Sequence, residues 1–292
     1  MHPYPFAYHR AATIDEALSL LVTHADDGKL LAGGHSLLPV MKLRLAQPGH
    51  LIDITGVSEL RGVRQIDGAI QIGALTTHHE LATDPIIAEH AGLLAQIAHV
   101  VGDQQVRHRG TIGGALAHAD PAADYPAGVL ALDAEVVVRG PGGERVIPIG
   151  EFFVGFLTTS LDPQELITAI RVPVQAGTGY CYEKMANPAS GYAIVGVAVV
   201  VTNAAGGTIG EIKIGITGAT DMAFRAIAVE DALRGGSGDL ETVKAAAMLA
   251  TGGIDVLGDI HAPVDYRTRV TQNLTRRAIM TALESGRIPA PA

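Results

Sequence analysis

The chain of 292 residues is 48% hydrophobic and 17% charged, enough apolar material for two or three compact domains and too much for a disordered chain. A formal net charge of −9 with no Lys/Arg block disfavours a nucleic-acid groove or an anionic membrane surface as partner, and no run approaches the ~18 apolar residues of a spanning helix, so a soluble cytoplasmic protein is expected. One cysteine, Cys181, excludes an internal disulfide and any Cys-ligated iron–sulfur cluster or structural zinc site within the chain.

Thr13-Ile14-Asp15-Glu16 is a capping box, and the apolar spacing after it predicts a helix to about His24. Leu30, Leu31 and Ala32 read as a short buried strand that ends at Gly33-Gly34, where the backbone can turn sharply and bring its N–H groups close to a ligand. Ser36 is placed to cap a helix over 37–43, and His50 to Ile54 alternates as a strand. Asp67-Gly68 joins the runs 60–63 and 69–74 into a hairpin. Thr77-His78-His79-Glu80 is a second capping box, and Asp84-Pro85 starts a helix that reaches Val101. Gln104 to His118 reads as a second loop with paired glycines, Gly113-Gly114, followed by Ala-Asp-Pro-Ala-Ala-Asp-Tyr-Pro at 119–126 and an apolar helix through Leu132. A hairpin of 135–139 and 145–149 turns at Pro141-Gly142-Gly143, and a strand over 165–172 ends at Pro173. Past a boundary near 174–179 come strands at 180–185, 193–202 and 208–217, then helices near 226–233, 240–256 and 265–285, the order of an antiparallel α+β domain.

Two paired-glycine turns, each flanked by a hydroxyl (Ser36 and Thr111), could surround a diphosphate with backbone donors in place of charged side chains. Neither shows the G-x-G-x-x-G spacing of a dinucleotide Rossmann turn or the lysine of a P-loop. The pair His78-His79 with Glu80, and His99, His108, His118 and Asp120, show no metal-ligand spacing, and solvated or capping histidines are the better reading, so no metal site is expected. There is no G-x-S-x-G nucleophile turn, and Cys181 sits mid-strand as a small buried hydrophobe. Three residues stay open between two roles. Asp124 is either a helix cap or an acceptor for the hydroxyls of a sugar-like chain; Lys184 is either an exposed strand lysine or a cation beside a ligand; Tyr192 is either a strand-start aromatic or a stacking surface.

Set together, Ala-Gly-Gly-His-Ser at 32–36, Thr-Ile-Gly-Gly-Ala at 111–115 and the Ala-Asp-Pro run resemble the two flavin loops of the FAD-binding medium subunit of molybdenum hydroxylases. Phe152-Phe153-Val154-Gly155 and Glu165-Leu166-Ile167 resemble later segments of the same FAD domain, and Ala115 in place of the Asn of many xanthine dehydrogenase relatives favours the carbon monoxide dehydrogenase branch. The resemblance covers nearly the whole chain. It implies an α+β chain with a two-subdomain FAD-binding domain of the PCMH type at 1–175 (subdomains about 1–57 and 58–175). A C-terminal flavoprotein domain at 176–292 would follow, with a three-stranded antiparallel sheet and a helical bundle.

Carried residue by residue, the resemblance assigns FAD contacts to Lys29, Leu30, Leu31, Ala32, Gly33, Gly34, His35 and Ser36, and to Thr111, Ile112, Gly113, Gly114 and Ala115. Val101 and Asp120 join them, with Asp124 near the ribityl or ribose hydroxyls, Ile167 on the adenine side, Lys184 on the cofactor and Tyr192 near the isoalloxazine ring. It further implies a non-covalent FAD, a small partner subunit with two [2Fe-2S] clusters, a large partner subunit with the molybdopterin cofactor, and a dimer of heterotrimers. The implied task is electron transfer from the clusters to an external acceptor, with no catalytic acid or base in this chain. Two other readings compete. Gly33-Gly34-His35-Ser36 also resembles the loop in which some self-contained oxidases attach flavin covalently to histidine, and a scaffold subunit could keep the fold without flavin.

Overall fold

The computed structural model describes residues 2–175, 177–204 and 208–286. Residue 176, where the expected second domain begins, and 287–292 at its end lie outside the described residues. The chain opens with β1 (Ala7–Arg10), α1 (Ile14–Thr23), β2 (Gly28–Leu31), α2 (Leu37–Lys42) and β3 (His50–Asp53). The three strands are parallel in the order β1-β3-β2. Parallel neighbours need crossover connections, here α1 and α2. Thr13 caps α1 by accepting from the Glu16 N–H at 3.1 Å, while the Glu16 carboxylate accepts from the Ala12 N–H at 2.8 Å. The buried face of α1 (Ile14, Ala17, Leu18, Leu21) packs with Ile52 and Ile54. Because all three strands run the same way, the turn after β2 lies at their carboxyl end, where open α/β sheets place ligand crevices.

A 3-10 turn at Ser58–Leu60 leads to β4 (Val63–Ile66) and β5 (Ala69–Gly73), then six helices: α3 (His78–Thr83), α4 (Pro85–His90), α5 (Gly92–Val100), α6 (Gln104–Arg107), α7 (Ile112–His118) and α8 (Tyr125–Ala131). Next come β6 (Glu135–Gly140), β7 (Gly143–Pro148), the small hairpin of β8 (Phe153–Gly155) and β9 (Thr158–Thr159), and β10 (Leu166–Pro173). The larger sheet is antiparallel in the order β4-β5-β10-β6-β7. Three expectations change. The first strand of the 67–68 hairpin starts at Val63 and not at Leu60. The helix expected from Pro85 to Val101 breaks at Ala91, whose backbone leaves the helical region at φ −146 and ψ 43. The stretch 104–118 is two short helices and not one loop, with Gly113-Gly114 inside the first turn of α7.

The last part holds β11 (Thr178–Ala186), β12 (Ala193–Asn203), β13 (Ile209–Thr217), β14 (Phe224–Arg225), and the helices α9 (Ile227–Leu233), α10 (Leu240–Ala247) and α11 (Val264–Ser285). The antiparallel sheet has a fourth, two-residue edge strand, β14, beyond the expected three. α10 ends at Ala247 and tightens to a 3-10 turn at Met248–Thr251 instead of running to 256, because Gly252-Gly253 follows and Gly253 sits at φ +73. β12 is covered on both faces: Val195, Val197, Val199 and Val201 join α11 in one core, and Ala198 and Val200 join α8 in another. That two-sided burial explains its unbroken apolar run. α8 crosses β13 so closely that a Cβ on Gly215 would stand 1.9 Å from the Ala127 carbonyl oxygen. Among the described residues no helix is long and apolar enough to cross a membrane.

Candidate functional site

The turn after β2 is shaped by packing before it is shaped for any ligand. A Cβ on Gly33 would lie 2.2 Å from the Arg109 carbonyl oxygen, so only glycine lets this turn rest on the 109–110 backbone. Gly34 follows at φ +77, a conformation costly for any side chain. Ser36 stands at the cap position of α2 but its backbone is helical and its hydroxyl makes no cap hydrogen bond, against expectation. The Tyr192 phenol faces that hydroxyl instead. Among the described residues, the backbone N–H groups of Gly33, Gly34, His35, Ser36 and Leu37 have no hydrogen-bond acceptor. Five consecutive free donors at a turn and helix start make a concavity suited to an anion.

The second glycine pair works differently. The Ile112 N–H donates to the Thr76 carbonyl at 3.1 Å, the Gly113 N–H to the Ala74 carbonyl at 2.9 Å and the Gly114 N–H to the Thr111 hydroxyl at 3.2 Å. Their donors are used, so Gly113 and Gly114 cannot share an anion with the first turn through these groups. Gly113 is glycine because a Cβ there would stand 2.6 Å from the Ala74 Cβ and 2.8 Å from its carbonyl oxygen. A Cβ on Gly114 would face the Ala32 Cβ at 3.8 Å, which shows how close the two segments come. The expected symmetric clasp is one-sided: the first turn offers donors and the second offers a smooth wall.

Between them opens a cleft of about 720 Å³. Its volume lies in the upper part of the ~300–1,000 Å³ range of ligand sites. Lys29, Leu30 and Ala32 through Ser36 line it from the first turn, and Thr111 and Gly113 through Ala115 from the second. Val101, Asp120, Asp124, Ile167 and Tyr192 complete the predicted residues that reach it. Three predicted residues do not line it: Leu31, Ile112 and Lys184. Leu31 belongs to β2, whose carbonyl accepts the Ile54 N–H, and Ile112 is fully buried in the core. Both hold lining neighbours in place.

Lys184 is neither an exposed strand lysine nor a wall of the cleft. Its side chain is 7% exposed, and Nζ lies 2.9 Å from the Asp124 carboxylate and donates to the Val100 carbonyl at 3.2 Å. Asp124 also accepts from the Tyr182 hydroxyl at 2.5 Å and makes no helix-cap bond. Burial pushes the Asp124 carboxyl above its ordinary range, while Lys184 and Tyr182 pull against that rise. The carboxylate is therefore oriented from β11, beneath the cleft. The 120–124 segment is also tied to the C-terminal sheet: the Thr217 hydroxyl donates to the Pro121 and Ala123 carbonyls at 2.7 and 2.8 Å, and the Gly218 N–H to Pro121 at 2.7 Å.

Other residues at the site were missed by sequence reasoning. His78 and Tyr125 line the cleft with tilted rings 5.0 Å apart, and both are buried. His78 Nδ1 and the Tyr125 hydroxyl have no hydrogen-bond partner among the described residues. Burial, with the nearby His35 and Arg107, lowers the His78 pKa from 6.5 to about 4, so its imidazole is neutral at physiological pH. The segment 157–163 forms another wall, with Leu157 at φ +51. A left-handed non-glycine residue carries no signal in sequence, and capping-box histidines gave no reason to expect burial. Together, free donors at one end and apolar walls from Leu30, Leu75 and Ile167 fit a long ligand that joins phosphate to flat rings.

Residues 4–175 match the family model described as the FAD binding domain in molybdopterin dehydrogenase, and residues 180–282 match the CO dehydrogenase flavoprotein C-terminal domain. The carbon monoxide dehydrogenase medium chain of Hydrogenophaga pseudoflava is 41% identical over 97% of this chain and 98% of its own. The 6-hydroxypseudooxynicotine dehydrogenase complex subunit alpha of Paenarthrobacter nicotinovorans is 36% identical over 98% of this chain and 97% of its own. A chain in the solved carbon monoxide dehydrogenase structure from Hydrogenophaga pseudoflava superposes with a TM-score of 0.95 at 43% identity, covering 98% of this chain and 99% of that one. One in quinoline 2-oxidoreductase from Pseudomonas putida 86 gives 0.93 at 32% identity, covering 98% and 99%. The chain therefore belongs to the family of FAD-binding medium subunits of molybdenum hydroxylases, with a C-terminal domain of the carbon monoxide dehydrogenase type, and is an oxidoreductase subunit whose cofactor is FAD.

Proposed function

We propose that the cleft holds FAD non-covalently and that this chain is the electron outlet of a cytoplasmic, carbon monoxide dehydrogenase-type complex. The complex would be a dimer of heterotrimers, completed by a small [2Fe-2S] subunit and a large molybdopterin subunit. The observation that carries the reading is the row of free N–H groups from Gly33 to Leu37 opening on a cleft of about 720 Å³. These donors receive the diphosphate, with Lys29 at the rim. Thr111 to Ala115 wall the opposite side, Asp120 and Asp124 accept hydroxyl hydrogen bonds, Leu30, Val101 and Ile167 cover apolar ring faces, and Tyr192 stands as the stacking surface. Lys184 acts through Asp124 by fixing its carboxylate. FAD held by these residues would supply the redox chemistry for passing electrons from the small subunit's clusters to an external acceptor, while this chain fixes its position and polar surroundings. No side chain here is assigned as a catalytic acid or base.

The test is the flavin content of the purified complex. A valine at Gly33 must separate the turn from Arg109, which misaligns the donor row, so Gly33→Val is expected to lose most of the flavin absorbance while partner subunits still co-purify. Full flavin occupancy in that variant would overturn the assignment of the diphosphate to this turn.

A further inference from the structure

We propose that His9, His24 and His50 form a three-imidazole site for a divalent transition metal of the zinc class, near the amino-terminal ends of β2 and β3, with none of the three lining the cleft. The three come from different elements: His9 from β1, His24 from the end of α1 and His50 from the start of β3. The spacing 9, 24, 50 matches no linear metal motif, and only the fold brings them together. Their ligand nitrogens all lie within 4.8 Å of one another. The ring centroids of His24 and His50 are 3.6 Å apart, those of His9 and His24 4.9 Å, and those of His9 and His50 5.2 Å.

The framework beneath the rings is rigid. The His24 N–H donates to the Leu20 carbonyl at 3.0 Å, and the His24 carbonyl accepts from the Asp27 and Gly28 N–H groups at 3.1 and 2.6 Å. Gly28 permits this approach, since a Cβ there would stand 2.8 Å from the His24 carbonyl oxygen. His9 and His50 sit on adjacent parallel strands whose ladder pairs Ala7 with His50 and His9 with Ile52, so both rings project from the same face. His9 Nε2 and His50 Nδ1 are 2.9 Å apart and share one proton-mediated hydrogen bond, while the His24 ring nitrogens have no hydrogen-bond partner among the described residues. Three neutral imidazoles carry three nitrogen lone pairs, and the one internal hydrogen bond occupies only one of them.

Three neutral imidazoles suit Zn²⁺, Cu²⁺, Ni²⁺ or Co²⁺ and not the oxygen-seeking Mg²⁺ or Ca²⁺. Metal–nitrogen bonds of about 2.0–2.1 Å in a tetrahedron set the nitrogens roughly 3.4 Å apart, a spacing that the present separations bracket. Binding requires the stacked rings to fan open and the His9–His50 hydrogen bond to be replaced by metal bonds. All three side chains are half-buried, so solvent and metal can reach them. The fourth position falls to water, since no carboxylate joins the three histidines among the described residues. Because the site clips β1, the end of α1 and β3 together, its role is structural.

The tag-free flavin-loaded complex is titrated with Zn²⁺ by calorimetry and with Co²⁺ by visible absorption, beside His24→Gln and His9→Gln. The expected result is one more equivalent of Zn²⁺ per chain in the wild type than in either variant. Tetrahedral-type Co²⁺ bands should vanish in both variants, and flavin content should be the same in all three. Equal binding in wild type and a flavin-loaded variant, or no binding by the wild type, overturns the site. If one variant fails to assemble, the other decides.

Discussion

Replacing Lys184 with methionine separates two roles for that residue, cofactor contact and buried support. Lys184→Met keeps all but the last atom of the side chain's length and removes its charge. In the wild type both partners are nearly dry, with the Lys184 and Asp124 side chains 7% and 6% exposed, and the ammonium lies 2.9 Å from the carboxylate. Removal leaves Asp124 buried with only the Tyr182 hydroxyl as partner. Stranding one member of a buried pair costs about 3–5 kcal/mol. At about 2–4 °C per kcal/mol for chains near this size, the thermal midpoint should fall by roughly 6–20 °C. Asp124→Asn combined with Lys184→Met leaves no buried charge and should recover most of the loss, since neutral replacements of buried pairs cost little. The assay is thermal unfolding of the purified complex in excess FAD, with flavin stoichiometry measured well below the transition. An unchanged midpoint together with lost flavin would refute the argument and return Lys184 to the cleft wall.

Two further outcomes follow from individual residues. The His78 imidazole is held neutral by burial, with a folded pKa of about 4 against 6.5 for the exposed ring, so the unfolded chain binds the extra proton first. Stability is therefore complete above pH 6.5 and declines as pH falls through 4, by about 3 kcal/mol from this residue. His78→Gln should show a shallower fall of the thermal midpoint over that range, and parallel curves would count against the burial argument. His35 is exposed at the cleft and close enough for its charge to bear on His78. Acid precipitation should leave the flavin in the supernatant, and flavin retained in the pellet would establish covalent attachment and revive the oxidase reading.

Local signals carried far along this chain because they depend on few neighbours. The capping box at Thr77, the Asp67-Gly68 turn and, within one residue, the limits of β12 and α11 appear where the residues place them, and Thr13 caps α1 although Glu16 reaches the Ala12 N–H and not that of Thr13. Cys181 is buried and free, and burial pushes its thiol up to about 11, as a mid-strand small hydrophobe requires. Errors fall where a distant contact decides the conformation. Ala91 breaks a helix that its apolar spacing continues, and Gly252-Gly253 stops α10 early. Gly113-Gly114 looks like a ligand loop in sequence, yet it opens a helix whose first donors are already taken by Ala74 and Thr76.

What the sequence by itself determined was the order of elements, the family and the two glycine segments, since motif and periodicity are properties of neighbouring residues. Only the tertiary structure decided which glycine pair keeps its donors free, because that depends on what backbone lies against it: Arg109 beneath Gly33, and the Ala74 carbonyl against Gly113. It likewise decided that Lys184 supports Asp124, that His78 and Tyr125 keep buried polar atoms without partners among the described residues, and that three histidines far apart in the chain meet. Such placements arise when separate segments pack together, and packing is where a residue's charge, proton and hydrogen bonds acquire their partners.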